Sequence, residues 1–170
     1  MRYALEIWES KLLEAGTKSI RECIDSVSLV QELFKYMFNR SKHTLPVIYY
    51  AAVERRKQDS RYHKFISMFN SIKEKLDMIL ENDGILLLPT HPETAPHHLL
   101  TIPKYPNQAY TCIFNVLGYP STQIPAGFSK GLPIGLQVIG AMENDSLCIS
   151  TAVELEKVFG GWTSPCKIIS

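Results

Sequence analysis

Long apolar runs are absent from this sequence of 170 residues. The longest strongly apolar run, residues 85–88, is far shorter than the ~20 residues that a membrane-spanning helix needs. The N-terminal stretch carries Glu6 and Glu9 among its apolar residues, which is not the pattern of a signal-peptide core. We therefore expect no transmembrane segment in this chain, no signal peptide and an intracellular location.

Paired cysteines and an excess of charge are also missing. The cysteines (Cys23, Cys112, Cys148 and Cys166) show no C-x-x-C spacing, so reduced thiols packed among apolar residues are expected. The net charge is +1, which favours neither a nucleic-acid nor an anionic-membrane partner. The basic residues around the end of the third predicted helix (Arg55, Arg56, Lys57 and Arg61) are interpreted as a solvated face.

Metal and phosphate motifs are missing too. The histidines His91, His97 and His98 lie near Glu93, but without an H-x-x-x-H or H-E-x-x-H spacing. No phosphate-binding loop is present. We expect no metal and no cofactor.

The patterns that are present favour an α/β fold in one domain. Apolar residues recur at helical spacing in 2–15, 27–39, 45–57, 62–81, 108–117 and 145–159, and strands are predicted at 85–88, 121–124 and 134–139. Residues 17–25 are predicted to form a loop. One face of the second helix is apolar (Val27, Val30, Leu33, Phe34 and Met37). Either Asn144 or Asp145 is expected to cap the last helix.

Two stretches depart from regular patterning. The run 85–88 is continuously apolar, as in a strand that is covered on both faces inside an α/β sheet. Residues 89–107 hold five prolines and three histidines. A loop of that length in a compact domain is often functional, such as a lid or a pocket wall.

A possible nucleophile motif lies at 127–131, where Gly127-Phe128-Ser129-Lys130-Gly131 matches the G-x-S-x-G pattern. A nucleophile elbow needs a helix directly after the serine. Here two glycines and a proline follow within six residues, and the alternation over 134–139 favours a strand. We interpret Ser129 as a turn serine at the tip of a hairpin, with Gly131 supplying a positive φ.

The same stretch resembles the C-terminal end of amidase signature enzymes. Residues 115–127 match an N-x-x-G-x-P…P-x-G turn, and residues 131–137 match a G-L-P-x-G-x-Q strand. Further likeness lies in Leu88-Pro89-Thr90, in Ala109-Tyr110-Thr111 and in 159–162. The resemblance is greatest to members that hydrolyse fatty-acid amides. It covers nearly the whole chain and is strongest over 84–162, with 1–83 mainly helical and 163–170 a tail.

The resemblance implies a mixed sheet flanked by helices, and amide or ester hydrolysis by a Ser–cis-Ser–Lys triad. In the family, the lysine and the Gly/Ser-rich signature lie N-terminal to the matched region. This chain has no Gly-Gly-Ser-Ser-type stretch, so no catalytic residue is assigned. It is expected to be an incomplete domain that is inactive alone. Tyr110, Phe114 and the 89–107 loop are the candidates for a pocket wall.

Two partners follow from this interpretation: an apolar amide or ester ligand, and either the absent N-terminal half or a second copy of the chain. The alternative is a non-catalytic module that binds lipid or pairs with another protein.

Overall fold

The fold is described from a computed structural model of the chain, covering residues 2–24, 28–54, 58–98 and 100–164. Some of the predictions concern residues outside these ranges. They are the predictions for Val27, for the basic residues 55–57, for Cys166 and for the end of the tail. The helices are α1 (Ala4–Glu14), α2 (Ile20–Cys23), α3 (Leu29–Met37), α4 (Leu45–Val53), α5 (Ser60–Leu80), α6 (Ala109–Leu117) and α7 (Asp145–Phe159). A short 3-10 helix, Tyr105–Gln108, leads into α6.

Local side-chain bonds determine where two of these helices begin. The side chain of Ser19 accepts a bond from the backbone N–H of Glu22, and the Glu22 carboxylate accepts one from the N–H of Ser19. This capping box starts α2, so the prediction of a loop over 17–25 is wrong there. Asp59 starts α5 by accepting from the N–H groups of Arg61 and Tyr62 at 2.9 and 3.2 Å.

The strands form a small antiparallel sheet. β1 (Ile85–Pro89) and β2 (Ser121–Ser129) both pair with β3 (Leu132–Gly140), which lies between them among the described residues. Leu87 lies opposite Val138 in the first pair, and Thr122 lies opposite Val138 in the second. Helices flank this sheet, which confirms the α/β class expected from the sequence.

Each face of the sheet carries its own hydrophobic cluster. On one face, side chains from α1, α5 and α6 pack with the sheet around Ile7, Leu80, Leu117 and Ile139. On the other face, α7 packs against β2 and β3, and Ile124, Val138, Cys148 and Ala152 are buried there. Burial of this apolar surface is the main contribution to the stability of the fold.

The position of β1 corrects one expectation. The apolar run 85–88 predicts a strand that is covered on both faces inside a sheet. In the described structure β1 lies at the edge, and the Leu87 side chain is 44% exposed. The reason is the placement of α7, which packs on β2 and β3. Ile85 at the start of β1 contacts the cluster formed there, whereas Leu87 does not.

The apolar face predicted for the second helix is exposed on α3. Val30, Phe34 and Met37 are 63%, 57% and 69% exposed. The buried side chain of α3 is instead Glu32, which accepts a hydrogen bond from the Ser41 hydroxyl at 2.7 Å and binds Lys35 at 3.0 Å. The Ser41 bond and the Lys35 ammonium group lower the pKa of Glu32.

The start of α7 also differs from the prediction. The Asn144 side chain does not cap the helix but donates to the carbonyl oxygen of Asn82, and so ties α7 to the turn before β1. Gly118 and Gly160 end α6 and α7 in the left-handed region, with φ of 76° and 84°. Within the described ranges, no helix combines the length and apolar character needed to cross a bilayer.

Candidate functional site

A two-residue turn joins β2 to β3 and determines the environment of Ser129. Lys130 and Gly131 both have positive φ, 52° and 77°, which matches the twist of a tight hairpin. Ser129 pairs with Leu132 in the last rung, and the chain then enters β3 instead of a helix. The hairpin prediction is confirmed, except that Lys130 and Gly131 form the exposed tip while Ser129 is half-buried beside it.

The motif glycines of β3 allow close packing. A Cβ atom at Gly135 would collide with the side chain of Gln123 and lie 3.1 Å from the carbonyl oxygen of Ile124. A Cβ atom at Gly140 would lie 2.8 Å from Sγ of Cys148, where α7 meets the sheet. The G-x-Q-x-x-G spacing therefore serves strand pairing and helix packing.

Gln137 connects three parts of the fold, which sequence reasoning missed. This side chain is only 3% exposed, and its amide nitrogen donates to the carbonyl oxygens of Tyr110 at 2.8 Å and Pro89 at 3.3 Å. Its amide oxygen accepts from the Ser121 hydroxyl at 3.3 Å. One buried amide thus holds together the end of β1, the start of α6 and the start of β2. Its place in the G-L-P-x-G-x-Q pattern was the available signal.

The Pro-rich loop forms one wall of a groove of about 790 Å³. The hairpin forms the facing wall, and residues 161–164 close one end. Exposed apolar side chains converge on this groove: Phe128, Leu132, Ile134 and Trp162. Thr90 also lines the groove, and its hydroxyl oxygen is buried without a hydrogen-bond partner among the described residues.

Glu93 is the anchor of that loop. Its carboxylate forms an ion pair with Lys104 and accepts a bond from the Asn107 amide at 2.6 Å. The bond from Lys104, followed by that from Asn107, lowers the pKa of Glu93. Nδ1 of His91 lies 2.7 Å from the carbonyl oxygen of Glu93. These contacts tie the start of the loop to its end.

The other histidines of the loop, His97 and His98, are exposed. Across the described residues there is no group of three or more His, Cys, Asp or Glu side chains placed to hold a metal ion.

The two pocket-wall candidates occupy different environments. Phe114 is 4% exposed and belongs to the cluster formed with α1 and α5. Tyr110 is half-buried at the start of α6, where its carbonyl oxygen accepts the bond from Gln137. Neither side chain lines the groove described above, so their role in a pocket stays a prediction.

The cysteines that the structure describes differ in exposure. Cys112 and Cys148 are buried as expected, whereas Cys23 is exposed on α2, so the prediction of a packed thiol is wrong there. Burial raises the pKa of Cys112 to about 12 and also raises that of Cys148. Both thiols therefore stay protonated near neutral pH and pack as apolar groups.

A second cavity, of about 850 Å³, lies between α1, α2, α4 and α5. Side chains of both charge signs line it: Glu6, Glu9, Glu54 and Asp59 together with Arg21, Arg61 and Lys64. This mixture of charges gives the cavity a different character from the apolar groove at the hairpin.

Comparison with known proteins finds relatives of this chain. A model of the amidase family matches residues 9–149. The chain is 36% identical to fatty-acid amide hydrolase 2 of Homo sapiens over 179 residues, which is 98% of this chain and 34% of that protein. It is also 36% identical to fatty-acid amide hydrolase 2-A of Danio rerio, covering 98% of this chain and 33% of the relative.

Other relatives match a smaller part of this chain. The chain is 35% identical to a subunit of the glutamyl-tRNA(Gln) amidotransferase of Natranaerobius thermophilus, over 59% of this chain and 21% of that protein. A crystal structure of an amidase superposes with a TM-score of 0.57 at 23% identity, covering 69% of this chain and 29% of that one. This likeness shows a shared fold.

The chain therefore belongs to the amidase family. It spans about a third of the length of the fatty-acid amide hydrolases that it matches.

Proposed function

We propose that this chain is the C-terminal part of an amidase domain that hydrolyses amide bonds, with fatty-acid amides as the substrate class. The observation that carries this proposal is family membership over residues 9–149 combined with 36% identity to fatty-acid amide hydrolase 2 of Homo sapiens. The chain then supplies strands and outer helices of a larger sheet. Residues 1–170 are treated as one partial domain.

In this proposal the catalytic groups come from polypeptide outside these residues. Two facts support that division. The sequence has no Gly-Gly-Ser-Ser-type stretch, and its one adjacent glycine pair, Gly160-Gly161, has no serine run beside it. Ser129 is half-buried in the last rung of a hairpin, without the following helix that would stabilise an oxyanion. The chain by itself is then inactive.

The contribution of this chain to substrate binding would be one wall of the acyl pocket. Tyr110 and Phe114 lie on the same helix, and Gln137 fixes the start of that helix against β1. The Pro-rich loop begins at the other carbonyl group that Gln137 binds. This arrangement would hold the loop and the helix in one rigid unit.

A fluorophosphonate probe tests the catalytic part of the proposal. The isolated chain should give no labelled band, because it lacks an activated serine. The Ser129→Ala variant is the matched control and should be indistinguishable from the parent. Labelling of the parent chain that this substitution abolishes would overturn the proposal.

The alternative, a non-catalytic module that binds lipid or pairs with another protein, is favoured by the exposed apolar face of α3. Exposed apolar patches of this kind commonly mark interaction sites. If the module interpretation holds, the isolated chain sediments with phosphatidylcholine vesicles or self-associates. Substitution of both Phe34 and Met37 by serine should abolish that behaviour. A monomeric chain that binds neither vesicles nor an apolar dye would contradict this alternative.

A further inference from the structure

The helix α3 is amphipathic, but its orientation is the reverse of the usual one. A surface helix normally turns its apolar stripe toward the core and its charged side chains toward solvent. On α3 the apolar face, formed by Val30, Phe34 and Met37, is exposed, whereas Glu32 is buried. Val30 and Phe34 each lie two residues from Glu32, which is roughly 200° around a helix of about 3.6 residues per turn. The apolar face and the Glu32 side chain therefore lie on opposite sides of α3.

Two bonds stabilise Glu32 at its buried position. The Ser41 hydroxyl donates to one carboxylate oxygen at 2.7 Å, and the Lys35 ammonium group lies 3.0 Å from the other. Hydrogen bonds to an ionised group are roughly twice as strong as those between neutral groups. A buried carboxylate that lost such partners would be strongly destabilising. These bonds therefore favour the rotation of α3 that turns Glu32 inward.

The segment after α3 brings Ser41 back to Glu32. Asn39 has a positive φ of 53°, which reverses the direction of the chain at the end of the helix. The N–H of His43 donates to Oγ of Ser41 at 2.9 Å and so fixes the position of the hydroxyl group. The Ser41 hydroxyl thus connects the inward side of α3 to the segment that leads into α4.

The neighbouring helix α4 offers a surface on which the apolar face of α3 could be buried. α3 packs on α4, and α4 has no charged residue between Leu45 and Val53. An apolar side chain gains free energy when it leaves water for such a surface. Glu32 and Phe34 therefore favour opposite rotations of α3, because the bonds of Glu32 hold the apolar face outward and burial of Phe34 would turn it inward.

We propose that the Glu32–Ser41 bond is a latch that holds the apolar face of α3 outward, and that loss of this bond lets α3 roll and bury that face against α4. The helix then has two states, one that presents the apolar face to a partner and one that conceals it. A partner that binds the presented face stabilises the first state. This inference does not depend on the proposed amide hydrolysis, since it concerns contacts within residues 29–53.

Oxidation of methionine by hydrogen peroxide, followed by mass spectrometry, measures which state is present. Met37 lies on the apolar face, and the exposed Met78 and Met142 provide internal references outside α3. Glu32→Ala removes the latch, so Met37 should oxidise at least ~10-fold more slowly than in the parent chain, because the thioether becomes buried. The two references should keep their rates.

Two further variants define the latch. Ser41→Ala removes the donor and should also slow the oxidation of Met37. The matched control is Gln31→Ala, which changes the exposed neighbour of Glu32 on the same helix and should leave the oxidation rates as in the parent.

A double variant tests whether burial of apolar side chains drives the roll. Glu32→Ala combined with Phe34→Ser removes the largest side chain of the apolar face, so Met37 should again oxidise near the parent rate. Hydrogen exchange of the α3 amides shows whether the helix persists, and in Glu32→Ala it should be as slow as in the parent.

The outcomes separate a roll from other responses. Unchanged oxidation of Met37 in Glu32→Ala would overturn the inference. Faster exchange of the α3 amides together with a reactive Met37 would mean that the helix detaches or unfolds, which overturns it as well. Protection of Met37 that rises with protein concentration, or that persists in the double variant, would also contradict the latch. None of these results bears on the proposed amide hydrolysis.

Discussion

β1 and β2 flank the same central strand, but their outer sides have different chemistry. β2 carries Pro125 inside the strand, its register shifts between Pro125 and Phe128, and α7 packs on it. β1 has no bulge, no internal proline and no helix over Leu87. The two outer strands therefore differ in how much of their surface the described structure covers: α7 shields β2, whereas Leu87 of β1 is exposed.

The largest expected effect is a loss of stability at the centre of the sheet, which we compare with the loss at the exposed edge. Ile139 is fully buried on β3, so Ile139→Ala should lower the free energy of unfolding by about 2–5 kcal/mol. Leu87→Ala on the open edge should cost less than about 1 kcal/mol in the isolated chain. Urea denaturation followed by circular dichroism gives both values. Equal losses would mean that β1 is already covered.

A substitution at Gln137 tests how strongly this side chain stabilises the attachment of β1 to the rest of the fold. Gln137→Met leaves the buried carbonyl groups of Tyr110 and Pro89 without their donor and should cost about 1–3 kcal/mol. Exchange of amides in residues 90–104 should accelerate as well. Gln123, which lies opposite on β2 and is exposed, provides the control. If Gln123→Met destabilises the chain as much as Gln137→Met, the bridging role is wrong.

Substitutions in the hairpin turn test how much its geometry contributes to the pairing of β2 with β3. Gly131→Ala places a side chain at a φ of 77° and should cost about 1 kcal/mol. Lys130→Asn, at a φ of 52°, should raise the stability by a few tenths of a kcal/mol, since asparagine suits that position. Thermal unfolding of the two variants measures both effects. A destabilised Lys130→Asn variant would contradict the turn geometry.

The smallest expected effect is on the pH dependence of stability, and it concerns the bond that attaches Tyr119, just before β2, to α5. The Tyr119 hydroxyl donates to Asp77 on α5, and this bond, followed by that from Lys73, lowers the pKa of the Asp77 carboxyl below its ordinary value. A carboxyl group whose pKa is lower in the folded state stabilises the fold above its unfolded pKa. That stabilisation disappears as the pH falls through the folded value.

Asp77→Asn should therefore reduce the decline of the melting temperature between about pH 4 and pH 2. The control is Asp83→Asn, which changes an exposed aspartate in the turn before β1. Melting curves recorded across this range decide the point. Equal slopes for the parent and the Asp77 variant would show that the Tyr119 bond contributes nothing to the acid response.

Features that depend on neighbouring residues were predictable from the sequence. The helix that stops at Gly118, the hairpin at Lys130-Gly131 and the strand after 84 are examples, since a positive φ or a run of apolar residues leaves a local signature. The burial of Cys112 and Cys148 also followed from their apolar surroundings. The helix Ile20–Cys23 was missed although its capping box is local, because the segment is polar and only four residues become helical.

Features that depend on distant residues were not predictable. Gln137 binds carbonyl groups 27 and 48 positions away, and its place in the G-L-P-x-G-x-Q pattern does not tell which groups it binds. The edge position of β1 depends on which other strands are present, and the exposure of α3 depends on which other elements pack on it. Neither is recorded in the local sequence of these segments.

The most direct test of the account is the chimera in which this chain replaces the matched region of human fatty-acid amide hydrolase 2. Release of fatty acid from a long-chain fatty-acid amide should be measurable for the chimera and absent for the isolated chain. That result would show that this chain supplies a working part of an amidase domain. A soluble, folded chimera that releases no fatty acid, while the parent enzyme is active, would contradict it.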